Sequence, residues 1–566
     1  MRVTSVGLAG AAAIILAMPG WAAEPVPVDQ GPQWTNDART AFYSQDQGSQ
    51  IMPLAWMMAL KQPDGSAFLE DSLGRYGYLR NPESPTPGLP VGFAVNNGIA
   101  EPMIGMTCAA CHTRQIRVDG TEYRIDGGPA IVDIQSFLAD LDTAVNTVLT
   151  DQVAFTAFAR AVLGPSPPPA EEAQLKSDVD AWYLRYHTLM AQALPPAPWG
   201  IGRLDAFGMI FNRLTGLDLG QPPSYLIPDN IHTADAAVRY PFLWNAPKQD
   251  FTQWPGFAAN GNDLLALARN LGQVYGVFAT FAPRKDPASP LGVDYLGINS
   301  ANFDGLGELE TLVTKLGPPK WPWPIDSALA AEGKQIFNLP ASESGCVECH
   351  GIRPGIPRPP NSKTWATPLL DVGTDTREYQ ILSWAANTGE LNGAAIPDLA
   401  PTPLQPVDAS LRILGVAVNG SILQYYSPLS LAAAHGTVSV PTRFDDLADA
   451  FGSTAGLTAN AAPAAAYEAR VLEGIWAAAP YLHNGSVPSL AELLTPPNKR
   501  VDTFEIGPVY NRTTVGLARQ QGDFSFTLRT TGCDDVSSGV SHCGHDYGTA
   551  LPEQETRALL EYLKTL

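Results

Sequence analysis

Apolar positions along this chain follow a helical period in some stretches and no period in others, and the changes mark where its elements begin and end. From Glu24 to about Ala100 there is little periodicity, and Pro82, Pro85, Pro87 and Pro90 mark loops. Between Arg117 and Gly128 charged and apolar residues alternate, which predicts a short hairpin. Ile134, Phe137, Leu138, Leu141, Val145 and Val148 then recur at helical spacing. Prolines from Pro165 to Pro169 interrupt that helix. A second one follows, with Leu175, Val179, Trp182, Tyr186, Leu189 and Ala193 on its apolar face. A third run, Asp263 to Phe281, carries Leu264, Leu267, Leu271, Val274 and Phe278. Between the second and third lies an aromatic segment, Tyr240-Pro241-Phe242-Leu243-Trp244, continuing to Phe251, Trp254 and Phe257. Pro318 to Pro324 reads as a stiff linker. Directly after it, Ser327 to Phe337 predicts a helix opened by Asp326 or Ser327. The chain closes on a helix with Pro552 in its first turn and Leu559, Leu560, Tyr562, Leu563 and Leu566 along it.

At 566 residues the chain exceeds one core and suggests two or three domains. Charged residues make up 16%, against a typical quarter, so Gly, Pro, Ser, Thr and Asn must cover much of the surface as long, stiff loops. The formal net charge of −21 repels nucleic acid and anionic lipid and would steer towards a basic redox partner protein. At the N-terminus Arg2, an apolar run from Val6 to Met18, and Gly20-Trp21-Ala22-Ala23 compose a cleavable leader, residues 1–22. That run is too short to span a bilayer, and no later stretch is long enough. The expectation is a periplasmic or secreted protein, cut near Ala22 or Ala23, with no membrane span.

Cysteine chemistry changes the picture most. Cys108-Ala109-Ala110-Cys111-His112 and Cys346-Val347-Glu348-Cys349-His350 both read Cys-x-x-Cys-His, the c-type haem attachment signature. Two thiols at that spacing reach the two vinyl groups of one porphyrin, and the adjoining His turns its imidazole onto the iron. Zinc knuckles normally lie about 15–20 residues apart; these motifs lie in different parts of the chain. Two covalent haem c groups are therefore expected, with His112 and His350 as proximal ligands. The remaining cysteines, Cys533 and Cys543, pair in an oxidising compartment. For the second iron, His545 and His483 both compete for the sixth position, and the thioether ligand is missing because no Met follows Met209. His545 stands near the offset from the terminal helix at which class I cytochromes c place their axial Met, and is favoured. Two imidazoles lower a haem potential relative to His/Met. The first iron has no comparable partner, which predicts an open or weakly held sixth position.

Helix, loop, haem motif and closing helix is the order of a class I cytochrome c domain. The expected fold is accordingly mostly α. Two such haem domains, residues 23–130 and 326–566, would flank a helical, loop-rich insertion at 131–325. The motifs, with Gly474-Ile475-Trp476 through Pro480-Tyr481-Leu482-His483-Asn484-Gly485-Ser486, resemble the di-haem cytochrome c peroxidase superfamily. Length and the wide gap between motifs look most like its rubber oxygenases and di-haem fatty-acid dioxygenases. That resemblance implies an N-terminal haem that binds dioxygen or peroxide, a C-terminal haem that handles electrons, and a small apolar substrate. It implies a Trp between the haems, for which Trp244 is the first choice and Trp254 the second, and Phe257 as a distal-pocket wall. It also implies calcium between the haems, as in many members, although no ligand cluster is legible. A plain peroxidase, which would need a distal Glu, and a soluble electron carrier with both haems six-coordinate are the competing functions.

Overall fold

Helices form close to where the apolar period places them. The computed structural model describes residues 24–98, 101–358, 362–397, 399–426 and 465–566; the expected leader, 1–22, lies outside them. The three middle helices run Ile134–Thr150, Pro169–Ala193 and Asp263–Gly276, and the later pair Ser327–Phe337 and Glu553–Leu563. Asp326 caps Ser327–Phe337 by accepting from the amides of Ala328 and Leu329, which satisfies two donors the first turn leaves free. The expected hairpin is Thr113–Val118 against Thr121–Asp126. Asp119 and Gly120 at its tip both have positive φ, as a two-residue type I′ turn requires.

A mostly α fold of two class I cytochrome c-like domains is not what forms. Helix accounts for 38% and strand for 16%, and the described strands make nine sheets of two or three strands each. The departure is clearest at the first motif. Met52–Pro53, Pro102–Met106 and Phe93–Asn97 form an antiparallel sheet that leads into the Cys108–Cys111 turn. The hairpin at Thr113–Asp126 leads out of it, with Val26–Pro27 added in parallel. The cause is local: Gly and Pro cut apolar runs short here, and the buried backbone pairs across short ladders instead of within helices. Gly92 lies so near the motif that a Cβ on it would come within 1.9 Å of the Ala110 amide nitrogen.

The second motif follows a helix that is packed against the closing helix. Ser327–Phe337 packs on Glu553–Leu563 at Gly333, where a Cβ would meet the Ala558 carbonyl at 1.9 Å. The Pro318–Pro324 segment is packed rather than free: Trp321 and Trp323 lie edge-on to Trp476, whose indole donates to the Pro319 carbonyl at 2.8 Å. One apolar cluster joins Trp34, Phe42 and Ile125 from the start of the chain to Trp476, Tyr510 and Leu559 near its end. That shared core brings the two motifs together. Two more clusters fill the space around the middle helices and around Ser410–Tyr425.

Candidate functional site

Both Cys-x-x-Cys-His motifs form a single helical turn, which puts the two thiols and the imidazole on one side. Thr107 opens the first turn by accepting from the Ala109 amide. None of the four motif cysteines is taken up in a disulfide. His112 Nδ1 lies 2.9 Å from the Pro241 carbonyl, and His350 Nδ1 lies 2.7 Å from the Arg470 carbonyl. In each case the carbonyl fixes the ring and leaves Nε2 free to bind a metal. Desolvation lowers both pKa values, His112 to about 4, with the carbonyl contacts opposing. The rings are therefore neutral near pH 7, the form that ligates iron. What exposure they keep is towards a cavity.

Two cavities of equal size, about 180 Å³ each, open at the motifs. One is lined by Cys108, Cys111 and His112, the other by Cys346, Cys349 and His350. Their linings are mainly apolar. A porphyrin fits the donor set at both: two thiols for its vinyl groups and a carbonyl-held imidazole for its iron.

The second cavity also holds His545. Its ring centre is 6.2 Å from that of His350. An imidazole nitrogen binds a metal at about 2 Å, so two such bonds plus the inner half of each ring span roughly 6 Å. Burial, then the facing His350, lowers the His545 pKa to about 3, and its Nδ1 is buried without a hydrogen-bond partner. The loop carrying it is tied down three ways. Cys533 and Cys543 form a disulfide, Arg500 donates to the carbonyls of His542, Gly544 and His545, and the His545 amide donates to Val372. His483 lines the same cavity but stacks flat on Tyr467 at 3.8 Å, with Nε2 unpartnered.

Between the cavities stands a wall that sequence reasoning missed. Phe242, Glu468 and Arg470 line both. Trp244 lines neither; it stacks behind Phe242 at 4.6 Å and donates to the Glu473 carbonyl. Trp254 lines the second cavity only, beneath the Arg239 guanidinium. Buried Glu468 and Arg470 alternate along the chain just as surface charges do, so nothing in the sequence set them apart. Phe242 was visible only as one aromatic among several.

The first cavity contains no second imidazole among the described residues. Met209 lines it, as does Glu310, which is paired with Arg269 at 2.5 Å. It shares Ile210, Gln253, Arg269 and Gln273 with a further, smaller apolar cavity of about 70 Å³. Phe257 walls that adjoining space, edge-on to Phe207 at 4.8 Å, rather than the haem cavity itself. No group of three or more His, Cys, Asp or Glu side chains among the described residues is placed to hold a metal ion such as calcium. No described helix is long and apolar enough to cross a membrane.

Thiol pairs and carbonyl-held imidazoles, each set facing a largely apolar cavity, define a haem-binding cytochrome of the c type. Residues 466–505 match the family model described as RoxA-like, cytochrome c-like. The chain is 30% identical over 597 residues to the uncharacterized protein y4iJ of Sinorhizobium fredii (strain NBRC 101917 / NGR234), covering 94% of this chain and 92% of that one. It is 25% identical over 411 residues to the uncharacterized protein y4iM of the same strain, covering 68% of this chain and 75% of the relative. The chain belongs to the same family as y4iJ, and its matched segment is of the RoxA-like cytochrome c kind.

Proposed function

We propose that the protein is an exported di-haem oxidoreductase. Its first haem has an open sixth position for dioxygen or peroxide, and its second, held by His350 and His545, handles electrons. The asymmetry between the cavities supports this reading: the second has two opposed imidazoles, whereas the first has one and opens onto apolar space. Bound there, a haem would supply the activation of dioxygen or peroxide. The chain's own residues divide the remaining tasks. His112, held by Pro241, fixes the proximal side. The cavity walled by Phe207 and Phe257 excludes water and would take an apolar substrate beside the first haem. Glu310, anchored by Arg269, is a carboxylate within the first cavity that could hold or pass a proton. His350 and His545 would together hold the second haem and leave its iron no place for an exogenous ligand.

Met209 favours one alternative, a six-coordinate electron carrier, because its thioether lines the first cavity. Carbon monoxide added to the reduced protein and cyanide added to the oxidised protein separate the two. One haem responding while the other stays inert is expected. Inertness at both haems, in protein whose mass includes two macrocycles, would overturn the enzyme reading. A Met209→Leu variant that then gains a response would establish the carrier.

A further inference from the structure

We propose that Arg470 is a shared positioning residue that sets the reduction potentials of both haem irons together. This rests on the two-haem reading above. Arg470 reaches each site by a different part of itself. Its backbone carbonyl accepts from His350 Nδ1 at 2.7 Å. Its guanidinium carbon lies 3.9 Å over the ring of Phe242, the residue after Pro241, whose carbonyl holds His112 at 2.9 Å. It is one of three residues that line both cavities.

The charge at this position is poorly compensated. Arg470 is 6% exposed. Its Nη2 donates to Gln249 at 2.7 Å, its Nε has no hydrogen-bond partner, and the Glu468 carboxylate stands 3.8 Å away. Arg239 is a second buried guanidinium, so the lining of the second cavity carries two guanidinium groups, Arg239 and Arg470, and one carboxylate, Glu468. Reducing either iron adds one electron to its site. A fixed cation in a medium of low dielectric favours that addition, and interaction energy falls only inversely with distance. A cation between two irons acts on both, as buried charge and hydrogen bonding tune haem potentials generally.

The test is spectroelectrochemical titration of the intact holoprotein after its mass has been shown to include two haems. In Arg470→Gln, which keeps the carbonyl on His350 and removes the charge, both midpoints should shift negative. Arg470→Lys should return both towards the parent values. Arg269→Gln, which removes a cation from the lining of the first haem cavity and not of the second, should shift the first midpoint more than the second. Phe242→Leu removes the ring and leaves the charge, so it should move neither. A shift of a single haem in Arg470→Gln, equal shifts in the Gln and Lys variants, or a Phe242→Leu shift matching Arg470→Gln overturns the proposal. A chain lacking a macrocycle would instead overturn the two-haem reading.

Discussion

His545 gains its meaning from a distance. An imidazole in a buried loop is ordinarily a packed side chain, yet this one faces His350 with 6.2 Å between ring centres. Replacing His545 with Ala should turn the second haem from low-spin to high-spin and let it bind carbon monoxide, read directly in the absorbance spectrum. His483→Ala should leave the low-spin bands in place, because that ring stacks on Tyr467 instead of opposing His350. A second single-residue effect belongs to Asp205, which is fully buried and accepts from the amides of Gly208 and Ala236. Desolvation outweighs those contacts and raises its pKa from 3.8 to about 6. The fold therefore binds its proton more tightly than the unfolded chain does. The stability this contributes is complete below pH 3.8 and is lost as pH rises through about 6. Asp205→Asn should flatten the melting temperature against pH across that window, and an unchanged slope would count against the assignment.

At the scale of elements, the crossing of Ser327–Phe337 with Glu553–Leu563 carries the second haem motif on its C-terminal side. Gly333 permits the approach, and the Ala558 carbonyl would stand 1.9 Å from any Cβ placed there. Gly333→Ala must push the helices apart. Overpacking of this kind costs about 1–3 kcal/mol. The variant should melt lower than the parent, with the second haem's bands changing before those of the first. The first motif has no such crossing to lose, because it is strung between a small antiparallel sheet and a hairpin.

For the whole molecule, the decisive property is that one core serves both ends of the chain. Trp34 and Phe42 share a cluster with Trp476 and Leu559, so the two motifs are fixed relative to each other through that core. Around it lies a surface of net charge −21. Electron exchange with a basic redox protein should slow as ionic strength rises, since screening removes the long-range attraction. Stopped-flow rates that are flat with salt would rule out electrostatic steering.

The attachment motifs, the disulfide partners and the long helices were legible from local pattern alone, because covalent spacing and a 3.6-residue period are properties of short stretches. His545 could be singled out as a ligand candidate by its offset from the terminal helix, and its loop is indeed closed by Cys533 and Cys543. The sheet that leads into the first motif was not legible: strands of two to five residues leave too few alternations to separate from loop. Nor was the wall, in which Phe242 lies more than 200 positions before Glu468 and Arg470. Sequence determines which side chains can bond a porphyrin; only the tertiary fold decides which buried charges and rings stand between two of them, because that depends on contacts between segments with no local relation.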